Sequence, residues 1–314
     1  MLHILNNLAL VQVTGKDALK FLNNQFTCNI LNLKYNMFKI TSHCNVKGKV
    51  ISVMYVFYYQ NKIAYIQNRS VNQFQIQKLE QYSIFYDVKI IEQTSVILIE
   101  LSNLKAQSVL KSIFQVIPDI FNTVVHHEYC TLIYLNYDKP RYLLIIDINK
   151  KSDLIYSLKK SFFATDYQKW LAWNIKSKFP IIERKTSELF FPQEINMISL
   201  KGVDFTKGCY LGQEIISRIH YLKIKNKFLA IMYGNFSKNP SIGDIIEYNV
   251  NKSWLRAGII LSAYRINIFY FLIQAVLVEK VHKSDRKRFR LQKNHNNYLF
   301  FKSFAEKNLS KSFR

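Results

Sequence analysis

The clearest information about the fold of this chain lies in one short segment, Lys207-Gly208-Cys209-Tyr210-Leu211-Gly212-Gln213-Glu214. Glycine is scarce elsewhere, with 8 in 314 residues, against a usual share of about 7%. Three of the eight, Gly202, Gly208 and Gly212, lie in or just before this segment. Because glycine permits a positive φ and a close approach of another backbone, we expect these positions to require it.

The same segment carries groups that can do chemistry. Cys209 lies two residues after Lys207, and a nearby positive charge or helix amino terminus lowers the pKa of a thiol. Gln213 and Glu214 follow the last glycine, where their side chains can make hydrogen bonds. The spacing leaves two interpretations open: a reactive loop, or a glycine-rich connector around a buried cysteine.

The apolar pattern predicts a mixed α+β chain with an all-β end. Helical spacing occurs over 14–26, 70–82, 104–117, 152–163 and 167–174, and Ser70 with Gln73 predicts a capping box. After about Lys223 the helical pattern stops. The short β-rich runs that follow, separated by turns, predict a small barrel.

The segment 207–214 resembles the K-G-C-Y-x-G-Q-E signature of the YgfZ family, folate-binding proteins implicated in tRNA modification. That family is a branch of the fold of the T-protein of the glycine cleavage system. The resemblance runs from about residue 6 to about residue 265. It is also carried by Leu10–Gly15, Phe21–Thr27, His43–Lys49, Gln168–Ala172, Phe179-Pro180 and Phe191–Asn196.

The resemblance implies an α+β fold with two interleaved α+β subdomains and a C-terminal β-barrel, in a T-protein-like ring around a central opening. The expected boundaries are 1–222 for the folate-binding α+β region, 223–293 for the barrel and 294–314 for a basic tail.

A tetrahydrofolate-type ligand is implied in the central opening, where a flat pterin would stack on an aromatic ring. Trp170 matches one family tryptophan, whereas Leu8 occupies the position of the second and cannot stack. The family's Glu-Ala-Gly is replaced by Lys176-Ser177-Lys178. A glutamate can accept hydrogen bonds from the pterin N–H groups and a lysine cannot, so we expect weakened folate binding.

The resemblance implies a cytoplasmic protein that supports tRNA thiolation through the upkeep of iron–sulfur enzymes, as an accessory factor more than a turnover enzyme. Cys209 is the expected reactive residue, and Lys207 would favour its thiolate. Gly208 and Gly212 would shape the loop around Tyr210, while Gln213 and Glu214 would hydrogen-bond or cap it. The expected partners are a folate ligand, tRNA-modifying iron–sulfur enzymes and, by direct contact, tRNA.

Two alternatives stay open. One is a tetrahydrofolate-dependent aminomethyl transferase. The residues argue against it, because the T-protein's acidic pair corresponds here to Ile51 and Ser52, which carry no carboxylate. The other is a basic tRNA-binding accessory protein without catalysis. Its basis is a formal net charge of +23, from 44 Lys and Arg against 21 Asp and Glu. Most of that charge comes from lysine, and the chain is also rich in other amino acids that have AT-rich codons. The charge therefore has two possible explanations, codon bias of the genome and a functional basic surface.

Composition and cysteine usage narrow the class further. Hydrophobic residues make up 49% and charged residues 21% of the chain, which excludes disorder as the main state. The four cysteines form no C-x-x-C pair, so no metal site is expected. The start of the chain does not resemble a signal peptide and its apolar runs are too short to span a membrane, so we expect a cytoplasmic protein without a membrane partner.

Overall fold

The structure is a computed structural model that describes residues 1–102, 104–136, 140–149, 152–162, 164–165, 167–224, 226–236, 238–281 and 289–301. The helices in these ranges are α1 Ala18–Gln25, α2 Arg69–Glu80, α3 Leu104–Ile113, α4 Ser152–Ser161, α5 Tyr167–Lys176 and α6 Gln213–Tyr221. The strands are β1 Leu2–Ile4, β2 Leu8–Thr14, β3 Lys39–Cys44, β4 Val50–Tyr59, β5 Lys62–Asn68, β6 Lys89–Gln93, β7 Val96–Ser102, β8 Val124–His126, β9 Cys130–Asn136, β10 Pro140–Asp147, β11 Ala164–Thr165, β12 Lys227–Asn235, β13 Ile245–Val250, β14 Ser253–Arg265, β15 Tyr270–Val278, β16 Phe289–Leu291 and β17 Asn294–Phe301.

Two sheets share the first part of the chain. The first sheet has the order β3-β4-β5-β2-β6 and the second has the order β11-β1-β7-β10-β9-β8. The consecutive strands β1 and β2 belong to different sheets, as do β6 and β7. The chain therefore crosses twice between the sheets, which confirms the predicted interleaving. Neighbours are antiparallel except β1 and β11.

The predicted barrel is confirmed as a closed barrel of order β12-β15-β14-β13-β16-β17. Its final strand, β17, covers residues that the sequence placed in the basic tail. The sequence of that stretch does not alternate polar and apolar residues, and the backbone pairing with β12 and β16 reveals the strand. The rest of the predicted tail, 302–314, lies outside the described residues.

Local hydrogen bonds set helix starts that periodicity misplaced. The helix α2 begins at Arg69, and the Asn68 side chain accepts a hydrogen bond from the Ser70 amide. The predicted capping box at Ser70 and Gln73 is therefore wrong, because Asn68 is the N-cap. The helix α1 begins at Ala18 and not near Thr14, since β2 continues through Thr14.

One hydrophobic cluster joins the two sheets, α5 and the barrel. Side chains from all of them pack together: Leu10, Tyr55 and Phe57 from the first sheet, Leu143 and Ile145 from the second, Trp170 and Ile175 from α5, and Ile231, Leu272 and Val276 from the barrel. Full burial of each large apolar side chain contributes roughly 1.5–3 kcal/mol. This shared core fixes the segments between the units, which carry the signature. Within the described ranges, no helix combines the length and apolar character needed to cross a bilayer.

Candidate functional site

Lys207 is buried and holds the signature segment against the end of α1. Its ammonium group donates hydrogen bonds to the main-chain carbonyls of Asn23, Phe26 and Cys28, the last two at 2.8 Å. Asn23 lies in the last turn of α1 and the other two residues follow the helix, where main-chain carbonyls lack intrahelical partners. Burial lowers the pKa of Lys207 to about 8. The ammonium therefore has a structural role, and its predicted effect on the Cys209 thiol stays a prediction.

Main-chain hydrogen bonds extend this attachment. The Leu211 amide donates to the Asn24 carbonyl at 3.0 Å, and the Asp204 amide donates to the Thr27 carbonyl at 2.9 Å. The Thr27 hydroxyl donates to the Gly202 carbonyl at 2.6 Å. The stretch 21–27, which resembles the family's first helix, is thus hydrogen-bonded to the signature at Lys207 and Leu211 and to the residues just before it.

Gly212 meets a second family stretch, 43–49, backbone to backbone. Its φ is +79°, and a Cβ there would lie 2.5 Å from the Asn45 carbonyl oxygen and 2.9 Å from Gly48 Cα. Gly48 itself has a φ of +70°. Gly212 therefore requires glycine, as the sequence predicted, since no side chain fits between it and the turn at Gly48. At Gly48 the positive φ favours glycine, and a Cβ there would lie 3.1 Å from Ile216 Cγ1.

Gly208 differs from Gly212. A Cβ at Gly208 would meet nothing within 4 Å, and its φ is not positive. Gly208 is exposed, next to the exposed Cys209. The prediction that position 208 requires glycine is therefore wrong, because neither its φ nor its surroundings exclude a side chain.

Cys209 is the exposed thiol of the four cysteines. Cys28, Cys44 and Cys130 are buried, and burial raises the pKa of each, to about 12 for Cys44. They remain protonated near neutral pH. Cys209 lies four residues before the start of α6. In the part of the chain that the structure describes, no three His, Cys, Asp or Glu side chains are grouped to hold a metal ion.

The residues after Cys209 build the start of α6. The Gln213 side chain accepts a hydrogen bond from the Tyr210 amide at 3.2 Å, while Glu214 lies exposed in the first turn, where a carboxylate is favourable. Tyr210 is buried, its pKa is raised by burial, and its hydroxyl has no hydrogen-bond partner among the described residues.

Trp170 and Leu8, the two predicted folate-binding positions, line one cavity. The cavity has a volume of about 20 Å³ and is also bounded by Tyr55, Gln67 and Phe179. Tyr55 and Phe179 stack at 4.9 Å. That volume holds about one water molecule, so a pterin enters only if these side chains move apart.

Gln67 was missed by sequence reasoning. It is 2% exposed, and its Oε1 is buried without a partner among the described residues. Its Nε2 donates to Gln75 and Asn72 at 2.9 and 2.8 Å. Gln75 also contacts His43, whose pKa burial lowers to about 3, so His43 is neutral. An orphaned acceptor on the wall of an aromatic cavity suits a ligand N–H group.

A buried ion pair lies next to Trp170 and fixes its indole ring. Arg141 lies 3.5 Å from Glu100, and both side chains are almost fully buried. The Trp170 indole also donates a hydrogen bond to Glu100. Burial raises the pKa of Glu100 to about 7, opposed by Arg141 and Trp170. Nothing in the local sequence around Glu100 signals this contact, because β7 and α5 meet only in the folded chain.

Lys176 and Lys178 lie at the end of α5 and are both exposed. Neither bounds the cavity. Lys178 has a φ of +55° and its amide donates to the Ile175 carbonyl, which is the helix-ending position that favours glycine. Lys178, which replaces the family glycine, therefore has a strained backbone. This strain lies just after the end of α5 and away from Trp170.

Residues 226–294 match the family model described as the YgfZ beta-barrel domain. The tRNA-modifying protein YgfZ of Blochmanniella pennsylvanica is 36% identical over 302 residues, 93% of this chain and 91% of the relative. The protein of the same name from Buchnera aphidicola subsp. Baizongia pistaciae is 37% identical over 303 residues, 95% of this chain and 93% of the relative. The chain belongs to the YgfZ family.

The fold of this YgfZ-family chain is that of the T-protein. The crystal structure of glycine cleavage system aminomethyltransferase T from Bartonella henselae superposes with a TM-score of 0.74 at 10% identity, covering 95% of this chain and 83% of that protein. The predicted fold class and the predicted family are thereby confirmed.

Substitution of Gly212 by alanine should destabilise the protein strongly. Its positive φ and the 2.5 Å approach to the Asn45 carbonyl oxygen predict a loss of about 3 kcal/mol in the free energy of unfolding. Gly208→Ala is the matched control and should change it by less than about 0.5 kcal/mol. Urea unfolding measures both, and equal effects would contradict the packing described.

Lys207→Met should cost about 3 kcal/mol, because buried carbonyls lose their donor. The exposed Lys201→Met is the control. With a folded pKa of about 8 against 10.5 in the unfolded chain, the unfolded state binds more protons over this range. Stability contributed at Lys207 therefore rises from pH 8 towards 10.5. Urea unfolding at pH 8 and 9.5 should show a smaller rise in Lys207→Met than in the parent protein; an unchanged rise would refute the assignment.

Proposed function

We propose that this chain is a cytoplasmic folate-binding accessory protein that supports thiolation of tRNA through the upkeep of iron–sulfur enzymes. The observation that carries the proposal is the separation of roles in the signature. Lys207, Tyr210 and Gly212 build the loop, while Cys209 is left exposed at its surface. The relatives are named as tRNA-modifying proteins, which supports tRNA as the molecule whose modification depends on this chain.

Cys209 is the reactive group in this proposal. An exposed thiol on a rigid loop can reach a partner protein, whereas the three buried thiols cannot. In this proposal the Cys209 sulfur transiently ligates an iron-bearing species of a client enzyme, and its thiol proton passes to solvent.

The folate site of the proposal is the Trp170 cavity. A tetrahydrofolate, when bound, supplies a one-carbon carrier or a regulatory signal. Trp170 and the stacked Tyr55–Phe179 pair offer aromatic surface, and Gln67 Oε1 offers an unpaired acceptor for a pterin N–H group. The residues fit the chemistry of a pterin, and the small volume together with Leu8 makes the binding weak.

The aminomethyl transferase alternative has less support. Ile51 and Ser52, at the positions of the T-protein's acidic pair, are both buried in β4. Ser52 carries a hydroxyl with no partner among the described residues. A hydroxyl can accept a hydrogen bond from a folate amine, but unlike a carboxylate it does not act as a general base near neutral pH. The likeness to the T-protein, at 10% identity, concerns the fold.

Tryptophan fluorescence tests the folate site. Addition of 5-formyltetrahydrofolate should quench the emission of the parent protein and of Trp254→Phe, a tryptophan of the barrel, but not of Trp170→Phe. Gln67→Leu should weaken binding about tenfold, because a buried acceptor is lost. Absence of quenching at saturating ligand, or equal quenching in Trp170→Phe, would remove folate from the proposal.

Replacement of Cys209 by serine or alanine should lower the content of thiolated tRNA bases in cells that depend on this protein. Both variants keep the fold, because the side chain is exposed. Mass spectrometry of digested tRNA measures the thiolated bases, with Gly208→Ala as the control for the loop. Parent levels of thiolation in both cysteine variants would exclude the thiol from the mechanism.

A further inference from the structure

A second and larger cleft lies away from the Trp170 cavity. It has a volume of about 540 Å³, within the usual range of small-molecule sites. Its walls are the carboxyl end of α6, the 3₁₀ helix Pro192–Ile195 and the start of β12. Neither Cys209 nor Trp170 lines it, so it is independent of the function proposed above.

The cleft presents apolar surface beside neutral polar groups. Phe191, Ile219 and Phe228 supply apolar surface, while Asn196 and Asn226 supply amides. Flat heterocycles combine an apolar face with donors and acceptors at their edges, and aromatic and amide side chains together recognise them. This lining favours a nucleobase over a purely apolar or purely charged ligand.

Gln193 adds an unused acceptor. Its Nε2 donates to the Ile216 carbonyl at 2.7 Å, which fixes the orientation of the amide. Its Oε1 is buried and has no partner within the described ranges. Because this oxygen has almost no exposed surface, a ligand N–H group reaches it only when the Gln193 side chain moves.

His220 provides an aromatic edge to the cleft. Its ring is stacked on Phe205 with the centroids 3.8 Å apart and the planes at 14°. This contact holds the imidazole ring in place while the side chain still lines the cleft. A ring that is already ordered loses little conformational entropy when a base packs against it.

Lysine residues supply the charge for a phosphate. Lys227 lies 3.4 Å from the buried Glu194, which Lys49 also approaches at 3.9 Å. The buried carboxylate is thereby neutralised inside the cleft. Lys223 is exposed at the rim, and Glu279 is the other carboxylate of the lining. The basic excess of the whole chain, +23, favours an anionic polymer over a free metabolite.

We propose that this cleft binds one nucleotide of a single-stranded RNA segment, with the base between α6 and β12 and its phosphate at Lys223. The base is recognised through the amides of Asn196 and Asn226 and through the aromatic surface. The phosphate contact accounts for the position of Lys223 at the rim. The site requires neither folate nor Cys209.

The probes are the four nucleoside 5′-monophosphates, ribose 5-phosphate and a tetrauridylate RNA. Titration of ¹⁵N-labelled protein by NMR should give saturable shifts of the Ser199, Ile224 and Phe228 amides. The mononucleotides should bind more tightly than ribose 5-phosphate, since the base contributes. The tetranucleotide should bind about tenfold more tightly than UMP, because further phosphates meet a basic surface.

Matched variants separate the cleft from general charge. Lys223→Gln should weaken binding of the tetranucleotide about tenfold and reduce the slope of log K against log salt by about 0.7. Lys252→Gln is the control, an exposed lysine that also has a positive φ and lies in the barrel outside the cleft. Ile224→Trp fills the cleft and should abolish binding at unchanged charge.

Four results would overturn the proposal. The first is the absence of saturable shifts at the cleft amides with every nucleotide. The second is a ribose 5-phosphate affinity equal to that of the nucleotides. The third is an equal loss in Lys223→Gln and Lys252→Gln. Equal affinity of UMP and the tetranucleotide would identify a site for free nucleotides and would also contradict an RNA site. Thermal unfolding of each variant excludes misfolding as the cause of a loss.

Discussion

The burial of the Lys207 ammonium among main-chain carbonyls is the constraint on which the signature loop depends. The Asn23, Phe26 and Cys28 carbonyls that accept its hydrogen bonds would otherwise face an apolar environment without donors, which costs free energy. The contact links residues 181 positions apart in the case of Phe26. Once it forms, the following turn is directed at the stretch 43–49, and the Gly48–Gly212 contact becomes possible.

This arrangement divides the signature into residues that form the loop structure and residues that remain exposed at its surface. Lys207, Tyr210 and Gln213 face inwards or bond to the backbone, whereas Gly208 and Cys209 are exposed. A rigid base under an exposed thiol restricts the positions the sulfur can occupy. In the proposed function, such a restriction would favour reaction with a docked partner over indiscriminate oxidation.

The high lysine content has a conformational consequence as well as an electrostatic one. Lysines occupy positive-φ positions at Lys178, Lys201, Lys223 and Lys252, where glycine is the residue of least strain. Each costs roughly 1–2 kcal/mol. This pattern agrees with lysine replacing glycine through codon bias, so the total charge indicates a function only together with local geometry. Individual lysines acquire meaning from their surroundings, as Lys207 does through burial and Lys227 through Glu194.

The sequence by itself determined the family, the α+β class and the C-terminal barrel, because the signature spacing and the change of periodicity near residue 223 are local properties. It also predicted Trp170 and Leu8 for one site, through their correspondence to family positions, and both residues line one cavity. Only the tertiary structure decided that Lys207 is a structural cation, that Gln67 and Glu100 belong beside Trp170, and that β17 completes the barrel. These depend on contacts between residues far apart in the chain, and burial and hydrogen-bond partners exist only once those residues meet.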